Sequence, residues 1–260
     1  MEVASIFRKH KFEVSQGIYY SDPETIEARE IDVVATKGDF KGFLEIFIVI
    51  ECKSSKDKPW VLFSSGETSS GLWKFGILSE LAWAKITRRI SGEEADPITK
   101  LPWFHKDRNG HGMAVAFGKG KDPAYKALLS ALKASIDCAK HQSPWGFQNL
   151  RFAFPVIVLE GNLFEARLGS DGDVVVQEID EGFVTLSRTI AGYPSCSVHV
   201  VTRGRLDAFC TEALEVATRL EAILKADLDE LWEDSRIESG KRKGRSPTSS
   251  MAPEPQVPDT

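Results

Sequence analysis

Asp32, Glu51 and Lys53 are the residues of this chain whose types and spacing suit chemistry. They stand in the stretch Glu30–Ser55, EIDVVATKGDFKGFLEIFIVIECKSS. Two apolar runs, IDVVAT and FLEIFIVI, flank a Gly-containing polar segment, which is the pattern of a β-hairpin. Asp32 lies in the first run, and Glu51-Cys52-Lys53 closes the second. Side chains two apart on a strand point the same way, so Glu51 and Lys53 share a face and Cys52 takes the other. Two carboxylates on adjacent strands offer hard oxygen ligands to Mg²⁺ or Mn²⁺. A metal held there polarises a phosphate and acidifies a bound water. A neighbouring ammonium orients that water or stabilises the charge that develops on phosphorus oxygens. Such a set would suit metal-dependent phosphodiester hydrolysis. Without such partners, charged groups at the end of an apolar strand cost free energy.

The tripeptide alone carries little information, because about one E-x-K arises by chance in a chain of this length. Its context singles it out: it follows FIVI directly, with an acid in IDVV one strand earlier. Asp39-Phe40-Lys41 also reads D-x-K but lies in the polar turn. The same residues also suit a structural Glu–Lys pair at a strand end, with Asp32 capping a turn. A turn centred near Asp39-Phe40 pairs Asp32 with a residue near Phe47. The two acids therefore meet only if the turn is offset, the strand bulged, or the contact diagonal.

At these residues the chain resembles the PD-(D/E)XK nuclease superfamily, whose pattern is an acid on one strand and (D/E)-x-K on the next. Asp32 matches the first acid, Glu51 and Lys53 match E-x-K, and Ile31 stands where the family often has Pro. The resemblance covers Glu30–Ser55 and extends more loosely over Met1–Leu168. It implies a restriction endonuclease-like α/β fold, a mixed central sheet flanked by helices. It also implies a Mg²⁺- or Mn²⁺-dependent endonuclease acting on DNA. Asp32 and Glu51 would bind the metal, joined by the main-chain carbonyl of Cys52, and Lys53 would assist the water or the phosphate. In this family a helix before the first strand often carries another acid, and Glu2 is the residue that matches. Glu30, two before Asp32, is a candidate supporting acid.

The elements that must position these groups follow from patterning. Glu2–His10 reads as a helix, Lys11–Tyr20 as a strand and Ser21-Asp22-Pro23-Glu24 as a turn. Leu72–Ile90 reads as helical and Ser91–Met113 mostly as loop. Asp122-Pro123 opens a clear helix with an N-cap acid and Pro at its first position. Phe152–Leu159 reads as a buried strand irregular at Pro155, followed by strands near Asn162–Leu168, Val174–Ile179, Phe183–Ile190 and Cys196–Thr202. Asp207–Trp232 reads as one long amphipathic helix. The expected organisation is one domain over 1–235, an insertion near 56–115, and a disordered tail over 236–260, which is rich in Ser, Pro and charge.

Composition bounds the partners. The net charge is −5, with 42% hydrophobic and 27% charged residues, so no global basic surface advertises nucleic acid. Bases exceed acids within residues 61–150, and acids exceed bases from 151 onward. Lys85, Arg88, Arg89, Lys126 and Lys133 are the candidate contacts to a phosphate backbone. Four scattered cysteines with no C-x-x-C, no membrane-length apolar run and no leader-like N-terminus suit a cytoplasmic protein. The long C-terminal helix offers a route to a protein partner or a homodimer. The second functional class is thus a catalytically inactive nuclease-fold subunit that acts in binding or assembly.

Overall fold

The computed structural model describes residues 1–65, 76–90, 95–103, 109–118, 122–140, 148–186, 189–193 and 196–243. Helix α1 (Glu2–Lys9) precedes three strands, β1 (Glu13–Ser21), β2 (Ala28–Gly38) and β3 (Leu44–Ser64). A short β4 (Ile77–Leu78), α2 (Glu80–Ile90), α3 (Ala95–Thr99) and β5 (Asn109–Val115) lead to α4 (Pro123–Lys140). The chain continues through β6 (Leu150–Leu168), β7 (Val174–Ile179), β8 (Glu181–Thr185) and β9 (Ser197–Thr202), then α5 (Leu206–Ile223) and α6 (Lys225–Lys243). The architecture is α/β: a mixed nine-stranded sheet flanked by helices. Among the described residues no helix is long and apolar enough to cross a membrane.

The first three strands form an antiparallel meander, and β6 lies parallel to β3 along most of its length. The ladder also runs from β3 to β5, β8, β9 and back to β6, so part of the sheet closes on itself. Side chains alternate across β3, which divides the interior in two. Ile46, Ile48 and Ile50 face a core shared with α1, α2, α3 and α5. Val49, Trp60 and Leu62 face α4, which buries Ala124, Ala127, Ala131 and Ala134 against the sheet. These alanines let the helix axis come close to the strands while keeping the best intrinsic helix former at each position. Asp122 Oδ1 accepts a hydrogen bond from the Ala124 N–H at 2.9 Å, which caps α4 where the Asp-Pro pair predicts.

Several elements differ from the sequence expectation, each for a local reason. The helix expected over 72–90 begins at Glu80, because Ser79 Oγ accepts from Ala82 N (3.3 Å) and caps it; residues 66–75 lie outside the described set. The loop expected over 91–113 contains α3 and β5; pairing with β3 and β8 makes a strand of a Gly-rich segment with weak alternation. β6 is one strand of 19 residues, with Pro155 in register opposite Val49. Its other neighbours pair up to Ala153 (β4) and again from Val156 (β9), so neither requires the missing Pro155 N–H. The irregularity falls instead between Ser55 and Trp60. The single C-terminal helix is two, broken at Leu224, and the second continues through Lys243 into the segment expected to be disordered. The rest of that tail, 244–260, lies outside the described residues.

Candidate active site

The turn between β2 and β3 decides whether the acids meet. Asp39 organises it: its Oδ1 accepts from Leu44 N at 2.6 Å and its Oδ2 from Lys41 N at 3.1 Å. Gly42 takes a left-handed φ of +79°, a conformation glycine adopts without steric cost. The turn therefore spans Asp39–Phe43, and Gly38 pairs with Glu45 while Val33 pairs with Ile50. The ladder ends at Val33 and Ile50, so the offset turn brings Asp32 to the strand end where Glu51 and Cys52 follow.

Asp32 Oδ2 accepts the Cys52 N–H at 2.7 Å, just beyond the last paired residues of the β2–β3 ladder. The N–H and C=O of one extended residue point to the same neighbour, so the Cys52 carbonyl opens toward the Asp32 side. Opposite Asp32, the β1–β2 ladder skips a pair, and Gly17 there has φ +59°. The alternation of β2 breaks at this point: Ile31 packs with Val34 on the α4 side, whereas Val33 and Ala35 face the other core.

Glu51 is 12% exposed and is held from two directions. Its Oε1 is ion-paired to Lys53 Nζ, and its Oε2 accepts from Ser130 Oγ on α4 at 3.0 Å. Lys53 remains 31% exposed, so the pair opens to solvent on one side. Tyr20 is almost fully buried on β1. Burial pushes its phenol above the usual value, with the Asp22 and Glu51 charges adding to the effect and the Ser130 hydroxyl opposing it. The Cys52 thiol is pushed up to about 11 by burial and by Asp32 and Glu51. It stays protonated at neutral pH, so Cys52 offers its carbonyl rather than a thiolate. Ser130 and Tyr20 escape a sequence reading because neither lies near E-x-K; a weak signal was a polar residue between Lys126 and Lys133 on an alanine-rich helix.

Of the remaining candidates, Glu2 lines one pocket with Cys52 and Lys53, and the others lie apart. Glu2 is ion-paired with Arg203 (Oε2 to Nη2, 2.7 Å), which also bonds Glu160 at 3.0 Å. Glu30 is exposed, and a Cβ placed on Gly17 would lie 3.1 Å from its Oε1, so it leans toward β1. Lys85 bonds Asp227 (3.0 Å) and Glu230 (2.9 Å), and Arg89 bonds Asp227 at 2.5 Å. Lys133 bonds both oxygens of fully buried Asp22 at 3.0 Å and Glu24 at 2.8 Å. These three bases serve to hold helices in place. Arg88 and Lys126 are exposed, Lys126 one turn before Ser130.

Asp32, Glu51 and the main-chain carbonyl of Cys52 are the oxygen groups here that could serve a hard divalent cation. Among the described residues no group of three or more His, Cys, Asp or Glu side chains is placed to hold a metal. No family model, no curated protein and no solved structure matches the chain.

Proposed function

We propose that the protein is a metal-dependent endodeoxyribonuclease with a restriction endonuclease-like core. The observation that supports the reading is the β2–β3 strand end, where Asp32 accepts the Cys52 N–H and Lys53 is ion-paired to the neighbouring Glu51. The order α1-β1-β2-β3-α4-β6, with β6 parallel to β3, supports the core assignment. Asp32, Glu51 and the Cys52 carbonyl would hold Mg²⁺ or Mn²⁺. Once bound, the ion supplies Lewis-acid polarisation of a phosphate and a water of lowered pKa. Lys53 has three N–H donors, and Glu51 takes one, so the others are available to the attacking water or a phosphate oxygen. In the reaction water adds to phosphorus, one P–O ester bond breaks, and a phosphomonoester and an alcohol leave. Exposed Lys126 is the nearest helix cation for backbone phosphates, one turn from the residue that bonds Glu51.

The test is Mg²⁺- or Mn²⁺-dependent cleavage of linear, branched and single-stranded DNA, with RNA alongside. Cutting by wild type that Asp32→Ala and Lys53→Ala both abolish is the expected result. No cutting of any substrate, together with no heat of Mn²⁺ binding, sinks the reading. It would favour the second one, a catalytically silent subunit of the same fold. That alternative draws on one observation: Lys85, Arg89 and Lys133 are already neutralised by acids of the chain itself.

A further inference from the structure

A carboxylate at a strand end can rotate about its side-chain bonds, and its usefulness as a ligand depends on which way its oxygens face. Glu51 is constrained from beyond its own hairpin. Ser130 comes from α4, which follows β3 by a long excursion. A serine hydroxyl has one proton, and Ser130 donates it to Glu51 Oε2, which as a carboxylate can only accept. A hydrogen bond to a carboxylate is of the strong charge-assisted kind. Glu51 is 12% exposed, so the bond is largely sheltered from water.

We propose that Ser130 is a positioning residue that locks the Glu51 carboxylate, with Oε2 tied to α4 and Oε1 held by Lys53. The lock is a property of the metal-free protein. Its consequence for cleavage rests on the nuclease reading. It confines Glu51 to one orientation before a cation arrives, so that ordering is not left to the binding step. Partners that orient a metal ligand change metal affinity by roughly 10–100-fold when removed.

The first measurement is structural and independent of chemistry: crystal structures of metal-free wild type, Ser130→Ala and Ser130→Thr. Glu51 should hold one rotamer in wild type and in Ser130→Thr, and should spread over more than one in Ser130→Ala. A single unchanged rotamer in Ser130→Ala overturns the proposal whether or not the protein cuts DNA. The second is calorimetry with Mn²⁺ alone. Ser130→Ala should weaken binding by roughly 10-fold, and Ser130→Thr should restore it. If Ser130→Ala lowers thermal stability but binds Mn²⁺ like wild type, Ser130 merely packs α4 and the proposal fails. If wild type binds no Mn²⁺, the nuclease reading falls and the rotamer result still decides the lock. On an active protein, Ser130→Ala should lower kcat with KM for DNA little changed, because DNA does not touch the hydroxyl.

Discussion

Helix α4 presents two polar residues, Ser130 and Lys133, less than a turn apart, and each meets an acid of the sheet. The two meetings are unlike. Asp22, at the β1–β2 turn, is wholly buried and saturated: it accepts from Lys133 at both oxygens, from Arg29 Nε at 2.8 Å, and from the Glu24 and Thr25 N–H groups at 2.9 and 3.3 Å. Glu51 and Asp32 stand at a half-open strand end. Among the described residues Asp32 accepts a hydrogen bond from Cys52 N, and Lys53 reaches solvent. Saturation marks an acid that fastens the fold, because every lone pair is spent on the chain. An acid with donors on one side and water on the other keeps capacity for a ligand. Both places pair a carboxylate with a lysine, so enclosure separates the fastening pair from the candidate site.

The largest effect that would break this comparison is in stability. Asp22→Ala leaves Lys133 buried without its main partner, and should cost about 3–5 kcal/mol in denaturant unfolding. Asp32→Ala should cost only about 1–2 kcal/mol, the scale of one hydrogen bond to a charged group. Equal losses would show that both acids are fasteners. In cleavage assays the order should reverse: Asp32→Ala, Glu51→Gln and Lys53→Met should each lower the rate by about 10²–10⁴-fold. A Lys85→Met change should leave cleavage within a few-fold, since that lysine serves Asp227.

A pH profile sharpens the contrast. Burial alone would raise the Asp22 carboxyl, but the Glu24 N–H, Lys133 and the Thr25 N–H outweigh it and hold it below the usual carboxylate range. Its folded pKa lies below its unfolded one. The stability it supplies is therefore complete above the ordinary aspartate value and lost as pH falls through the lowered one. Thermal melts of Asp22→Asn should be flatter than wild type across that acid window; parallel curves would refute the assignment. The smallest effect is at Lys126. Lys126→Ala should weaken DNA binding by a few-fold and lower the salt slope by about one ion, with cleavage chemistry intact.

The candidate residues Asp32, Glu51 and Lys53 were legible because strand periodicity and the E-x-K spacing are local. Asp122-Pro123 marked the start of α4 for the same reason. The offset of the hairpin was harder to read, since it depends on Asp39 spending its carboxylate on Leu44 N rather than on a tighter turn. The role of Lys133 was invisible, because its partner Asp22 is 111 residues away and reads as an ordinary turn acid. Arg89 and Lys85 looked like a basic helix end until α6 brought Asp227 against them. The Gly-rich strand β5 has little alternation of its own and exists because β3 and β8 offer it ladders. Local patterns name the chemistry, and distant contacts decide which charges are left over for it.

The parallel pairing of β3 with β6 joins residue 44 to residue 150 and so on along both strands. Such contacts form slowly, because the entropy of closing a long loop comes before any reward from the pairing. The β2–β3 hairpin needs only a five-residue turn, so Asp32 and Glu51 can reach one strand end early in folding. The serine that orients Glu51 lies within the long loop and settles only as that loop closes. The time course of acquiring a competent site should then follow the millisecond-to-second closure of a high-contact-order sheet rather than the microsecond formation of the hairpin that carries its acids.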